Sequence, residues 1–183
     1  MKPTAFFYGD PGRLPFVGHF RATRTVGDTA VSAAGHVQAG GDLRVAFSAA
    51  RAIEHAIRSA PIEQPCDRHE ALGLIWQSIH AIAPRSLGSG GGADLSILFA
   101  VSDADGTGIS GVGLGAVWGQ NATGFEPLVE GDHPLLCGPG RPETLAGVLT
   151  LDTPAYTIVG LPYDRANSRP AAVDWQQRCG VYA

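Results

Sequence analysis

Apolar and polar positions along this chain alternate with two different periods, and the change of period divides it into elements. The clearest stretch is Gly88 to Gly119, a glycine-rich lead followed by two apolar runs, Leu95–Val101 and Ile109–Trp118, around the polar segment Ser102–Thr107. Asp-Gly at 105–106 between apolar runs predicts a hairpin, because Gly tolerates the positive φ of a tight turn. In the second run Val112, Leu114, Ala116 and Trp118 alternate with Gly111, Gly113 and Gly115. That period of two predicts a strand with one bulky and one nearly bare face, open to close approach by another layer.

Upstream, residues 1–17 hold Pro and Gly among Phe6, Phe7, Tyr8 and Phe16 and read as an irregular lead. Gly18–Ala33 is rich in β-branched residues interrupted at Asp28, which predicts one or two strands. Gly40, Gly41 and Asp42 read as a turn, and Leu43, Val45 and Phe47 as one face of a short strand. Ser48 is then the expected N-cap of a helix to about Ser59, with an apolar stripe from Ala49 to Ile57. Asp67 with Glu70 three residues on forms a capping-box pattern for a second helix, faced by Ala71, Leu72, Ile75, Ile79 and Ile82 and stopped at Pro84. Beyond the hairpin, Gln120–Gly124 reads as a loop and Phe125–Val129 as an edge strand, since Pro127 lacks a donor. Gly131–Pro142 reads as turns, and Thr144–Leu151 and Tyr156–Leu161 as strands. The polar tail from Pro162 is expected to drape over the domain, pinned by Trp175.

Composition narrows the classes. At 183 residues with a formal charge of -4, the chain suits one globular domain and no general nucleic-acid surface. Cys66, Cys137 and Cys179 are scattered and odd in number, so no disulfide framework or zinc knuckle is expected, and a reducing cytoplasm suits them. No apolar run approaches the roughly 20 residues of a membrane helix, and the N-terminus lacks a signal-peptide core.

Several strings suggest chemistry. Gly106, Gly108 and Gly111 spell GxGxxG, which binds a nucleotide or flavin when a strand enters it and a helix leaves it. Here four residues separate the apolar run from Gly106, and more glycines follow, so an extended ribbon is expected. Asp103, Asp105, Gly106 and Thr107 resemble the DxDGT motif of haloacid-dehalogenase-type phosphotransferases, but no second acidic motif follows; a solvated hairpin tip is the expectation. The histidines His19, His36, His55, His69, His80 and His133 show no HxxxH spacing. Cys66 and His69 offer two soft ligands where a structural zinc takes four. Asp132 and His133 lack a nominated nucleophile, and Cys137 has Arg141 as its basic neighbour. Asn121-Ala-Thr123 matches a glycosylation acceptor with nothing to suggest secretion. Trp76, Trp118 and Trp175 read as core or interface anchors.

The element order is strand–strand, two helices, hairpin, short strand, hairpin. With some local strings it resembles the metal-dependent type 2C (PPM) serine/threonine phosphatases over residues 18–161. Gly18 to Arg21 and Thr25 to Asp28 stand where that family has a glycine, an Arg and Asn-Glu-Asp. Leu43–Phe47 entering Ser48, Ala49 and Ala50 is matched to the strand that enters the family's Asp-Gly-x-Gly-Gly metal loop. Val112 to Ala116 is matched to Val-Gly-Asp-Ser-Arg, and Glu126 to His133 to a piece ending in Asp-His. The resemblance implies an α/β fold of α+β type, two stacked, mainly antiparallel sheets flanked by helices. It also implies two-metal hydrolysis by carboxylates, but only Asp28 has a counterpart among them. Gly160, Leu161 and Pro162 replace the late Ser-Asp-Gly, and the late Asp-Asn pair has no match. The expectation is therefore a non-catalytic, cytoplasmic binding or regulatory domain over residues 18–161, with lead 1–17 and extension 162–183. It would have no cofactor and no metal, Asp28 being vestigial, and would serve a protein partner, with self-association open and no nucleic acid or membrane. The alternatives are a nucleotide- or flavin-binding enzyme at Gly106, Gly108 and Gly111, or a phosphotransferase using Asp103.

Overall fold

The computed structural model describes residues 4–7, 17–39, 41–86, 93–121, 124–133, 135–137, 149–151 and 157–162. Among the described residues nine strands and two helices follow in the order β1 (Thr4–Phe7), β2 (Val17–Val26), β3 (Thr29–Ala39), α1 (Leu43–Ser59), α2 (Arg68–Ser86), β4 (Ala93–Ser102), β5 (Thr107–Asn121), β6 (Gly124–His133), β7 (Leu135–Cys137), β8 (Leu149–Leu151) and β9 (Thr157–Pro162). Strands β2, β3, β4 and β5 form an antiparallel sheet, and α1 and α2 pack on one of its faces. This is the α+β arrangement with mainly antiparallel strands that the sequence predicts.

The long strand β5 joins the two parts of the pairing network. Its first half, to Val112, pairs with β4; its second half, from Gly113, pairs with β6 and β9. Where β5 leaves β4, β7 takes its place beside Ala93–Leu95. Strands β6, β8 and β9 are thus hydrogen-bonded to the first sheet through β5, and β1 through β9, in the path β1-β9-β5-β4-β3-β2. A separate second sheet stacked on the first, as expected, is not defined among the described side chains.

The sheet–helix core follows from alternation. Phe20 and Ala22 of β2, Val31, Ala33 and Val37 of β3, and Leu95, Ile97, Phe99 and Val101 of β4 share the helix face by register and are buried. Against them α1 lays Ala46, Ala49, Ala50, Ile53 and Ile57, and α2 lays Ala71, Leu72, Ile75, Trp76 and Ile79. Each large apolar side chain buried here contributes about 1.5–3 kcal/mol. Trp76 meets Phe99 edge-on at 5.0 Å and donates from Nε1 to Ser110 Oγ at 2.9 Å. The small residues of α1 let it lie on the sheet itself: a Cβ at Gly18 would stand 2.3 Å from the Ala46 carbonyl oxygen.

Several expectations change. Leu43–Phe47 is the first turns of α1, and the N-cap is Asp42, not Ser48; Asp42 Oδ1 accepts from the N–H groups of Arg44 and Val45. Leu43 and Phe47 stand 44% and 49% exposed, one helical turn apart. Over five residues an i, i+2, i+4 alternation is indistinguishable from the i, i+4 neighbours of a helix. The second helix begins as predicted, with Asp67 Oδ1 accepting from His69 and Glu70. It runs past Pro84 to Ser86, because a proline removes one hydrogen bond and crowds the preceding turn without forbidding helical dihedrals beyond it. The segment read as turns from Gly131 contains the end of β6 and all of β7, and the loop read at 120–124 is shortened by β5 and β6 at both ends. The lead contains β1, paired parallel with β9. The reading of Thr144–Leu151 is described only as β8, and the tail beyond Pro162, with Trp175, lies outside the described residues.

Candidate functional site

Strand β3 ends at Ala39, and α1 begins at Leu43 behind its cap, Asp42. Gly41 adopts φ 101, a left-handed conformation that favours glycine, and its N–H donates to the Ala39 carbonyl. This is the strand–loop–helix junction that the resemblance places at Phe47–Ala50. Its described residues are Ala39, Gly41 and Asp42. The one carboxylate here, Asp42, is exposed and engaged as the α1 cap.

Asp28 lies at the other end of β3, in the two-residue turn joining β2 to β3. Gly27 takes φ 56 there, and Gln64 from the α1–α2 connection donates to the Val26 carbonyl and to Thr29 Oγ1. The 11 residues of β3 separate Asp28 from the Asp42 junction by about 30 Å. No single metal cluster spans that distance.

Beside the Asp28 turn lies the β4–β5 turn. Asp103 Oδ1 accepts from the N–H groups of Asp105 and Gly106 and from Arg68 Nη1 at 3.1 Å, while the Asp103 N–H donates to the Gly106 carbonyl. The carboxylate that the phosphotransferase reading makes a nucleophile thus organises the turn and ties it to the start of α2. The strand and helix needed by the nucleotide reading are also not what surrounds Gly106, Gly108 and Gly111. Gly108 and Gly111 lie within β5, antiparallel to β4. A Cβ on Gly108 would meet Leu72 at 2.8 Å, and one on Gly111 the Ile97 carbonyl at 2.5 Å. These glycines admit a helix side chain and a neighbouring strand.

At the start of α2, Cys66 Sγ donates to the Asp67 carbonyl. Burial, with Glu70 and Asp67 nearby, pushes its thiol up and away from the reactive thiolate. Asp67 is held below the ordinary carboxylate range chiefly by the Glu70 N–H, with His69 and Arg68 adding to this. The Cys66 and His69 pair therefore belongs to a helix start.

Two histidines form a pair that a search for HxxxH spacing does not reveal. His19 and His36 are directly opposed across β2 and β3, their ring centroids 5.9 Å apart and tilted by 50°. His36 is 4% exposed and His19 is partly exposed. Asp132 and His133 fall opposite Leu114 and Gly113 where β5 departs from β4; their side chains, and that of Cys137, lie outside the description.

The resemblance implies two hard divalent cations held by carboxylates. Asp42 caps a helix, Asp28 stands at the far end of β3, and among the described residues no three His, Cys, Asp or Glu side chains gather to hold an ion. The described residues do not assemble a two-metal carboxylate site. Nor is any described helix long and apolar enough to cross a membrane.

Comparison with known families and characterised sequences finds no match. Solved structures do match. A bacterial serine phosphatase superposes with a TM-score of 0.55 at 12% identity, over 85% of this chain and 70% of that one. A component of the bacterial stressosome, described as a modular system adapted to control secondary messenger signaling, gives 0.49 at 19% identity over 78% of this chain and 65% of the other. A stage II sporulation E family protein from Thermanaerovibrio acidaminovorans gives 0.42 at 16% identity over 79% and 75%. At these identities the likeness is one of fold: the chain has the fold of the type 2C serine phosphatases.

Proposed function

We propose that this chain is a phosphatase-fold binding or regulatory domain without two-metal phosphatase chemistry. It would work in the cytoplasm on a protein partner, as one unit over residues 18–161 with β1 of the lead joined to it through β9. The observation that carries the reading is the junction of β3 with α1. There the family pattern puts a metal-loop carboxylate, and here the carboxylate of Asp42 accepts two helix N–H groups through one oxygen. A cap engaged in this way stabilises α1 by roughly 1 kcal/mol. Recruiting the same carboxylate to an ion would compete with that role.

The test is turnover of para-nitrophenyl phosphate by the full chain with Mn²⁺. The expected result is no turnover above that of the metal alone. Mn²⁺-dependent turnover that disappears in Asp42→Asn overturns the reading, because Asn caps a helix about as well as Asp while offering a poorer ligand to a hard cation. Turnover lost in Asp28→Ala overturns it equally.

A further inference from the structure

We infer that Arg58 is a clasp that closes the outer edge of β2 and keeps a second copy of this chain from adding a strand there. Among the described residues β2 pairs with β3 alone and ends the strand order β1-β9-β5-β4-β3-β2. The two-residue turn at Gly27 and Asp28 closes the hairpin on the pair Val26 and Thr29. Antiparallel pairs alternate between bonded and non-bonded, starting from a bonded pair at such a turn. Val26, Arg24, Ala22 and Phe20 therefore bond to β3, while Arg21, Thr23 and Thr25 turn their backbone N–H and C=O groups outward. At 10 residues β2 is a long edge, and a long edge with outward groups is a template for another chain.

Arg58 occupies that edge. From the last turn of α1 its guanidinium reaches β2, Nη1 donating to the Thr23 carbonyl at 3.3 Å and Nη2 to the Arg21 carbonyl at 3.2 Å. These are two of the outward carbonyls that the turn selects, so the register and the side-chain geometry agree. The planar fork of arginine can serve two acceptors on alternate residues of a strand, where a lysine ammonium is a single point. Arg58 Nε donates to Glu54 Oε1 at 3.1 Å, and Glu54 Oε2 accepts from Arg51 at 2.9 Å. Glu54 is largely buried, so it fixes the guanidinium against the strand.

An incoming strand bonds to both the N–H and the C=O of each outward residue. With the Arg21 and Thr23 carbonyls taken, it would have to displace the guanidinium and break its ion pair with Glu54. The strand excluded is that of a second copy, because edge pairing rests on backbone groups that every copy of β2 presents, and two such edges can meet about a two-fold axis. Charge acts in the same direction: β2 carries Arg21 and Arg24, and pairing it with its own copy would bring like charges together. Arg24 Nη1 in turn donates to the Ala60 carbonyl just past α1. Two arginines thus tie the edge strand and the end of α1 to each other.

This inference is independent of the proposed function, and its test reads association and amide protection in place of turnover. The full chain and its Arg58→Met variant are compared by sedimentation equilibrium and by hydrogen exchange over a range of concentrations. Self-association is expected to tighten by at least about tenfold in Arg58→Met. The amides of Arg21 and Thr23, which exchange rapidly in the wild type, should become protected in the variant as concentration rises. Adding Thr23→Pro should restore the wild-type association, because it removes an outward N–H that β3 does not use. Glu54→Gln loosens the clasp with Arg58 in place, should shift association the same way by less, and carries the decision if Arg58→Met does not fold. A variant that lowers the urea midpoint alone, with wild-type association and rapidly exchanging amides, shows that Arg58 merely docks α1 on β2 and overturns the inference. Association in Arg58→Met that persists with Thr23→Pro overturns it too, since it then runs through another surface.

Discussion

The two faces of the β2–β5 sheet are built from different chemistry, and on β2 they differ in exposure too. Arg21, Thr23 and Thr25 are exposed on the face away from the helices, which is buried only from the middle of β3 through β4 to the start of β5. Toward the helices stand Val31, Val37, Leu95, Ile97, Phe99 and Val101, all bulky and apolar, with Ser110 as a polar member satisfied by Trp76. On the other face stand Ala34, His36, Ser96, Leu98, Ala100, Ser102, Thr107 and Ile109, which are also buried, yet small or polar at most positions. Strands β1 and β9 come against β3 and β4, while α1 and α2 occupy the first face. Burial alone therefore does not mark a core. One face derives its stability from bulk, and the other depends on fit and on paired polar groups.

The largest test of this contrast is Phe99→Ala. Phe99 is fully buried and meets Trp76 edge-on, so its loss is expected to cost about 3–5 kcal/mol. Urea unfolding at fixed pH measures it. A cost under about 1 kcal/mol would mean that the helix face is not a close-packed core.

A second test compares two glycines, one on each face. A Cβ at Gly18 would press on the backbone of Ala46 and Phe47, and one at Gly111 on the Ile97 carbonyl and Leu98 Cδ2. Gly→Ala at either position is expected to cost about 1–3 kcal/mol through overpacking. Gly18→Ala should cost more, because all three of its nearest atoms are backbone and none can rotate aside. Equal or reversed effects would show that α1 yields more readily than the strands.

Much of this arrangement is legible in the sequence, and the gaps have physical causes. The β4–β5 hairpin could be read because an Asp-Gly turn and strict alternation agree. The start of α2 could be read because Asp67 and Glu70 keep capping spacing. The start of α1 was obscured by Leu43, Val45 and Phe47, whose alternation satisfies a strand while two of them stand exposed on a helix. The extent of β6 was obscured by Pro127. That residue pairs with Trp118 beside a bulge between Val117 and Trp118, where a missing N–H is tolerated. The His19–His36 pair was within reach. A two-residue turn at Gly27 and Asp28 fixes each partner by reflection, and reflecting His19 through it gives His36. Scanning for HxxxH spacing tests a helix, whereas these histidines meet across strands. The phosphatase fold itself was legible in the order of the elements, which needs no single motif residue.

On the polar face the pair to break is Ser102 and Thr107, whose hydroxyls lie 2.8 Å apart in buried positions at the mouth of the β4–β5 turn. Ser102→Ala and Thr107→Val are each expected to cost about 1–3 kcal/mol, since each leaves a buried hydroxyl without its partner. The double variant should cost less than the sum, as both polar groups are then gone. Strict additivity in a double-mutant cycle would show that the hydroxyls do not depend on one another. This face would then be held by fit alone.

The smallest effect has the opposite sign and lies off both faces. Gly73 sits in the interior of α2, and a Cβ placed on it meets nothing within 4 Å. The substitution that overpacks Gly111 therefore finds open space at Gly73. What remains is the backbone term: alanine restricts the unfolded chain and favours the helix, so Gly73→Ala is expected to stabilise by about 0.4–1 kcal/mol. A rise in the urea midpoint with an unchanged slope measures it, because the slope reports the surface exposed on unfolding. A loss of stability would mean that α2 is pressed at Gly73 by a group the open space does not reveal. The contrast with Gly111 would then owe less to the strands than to glycine itself.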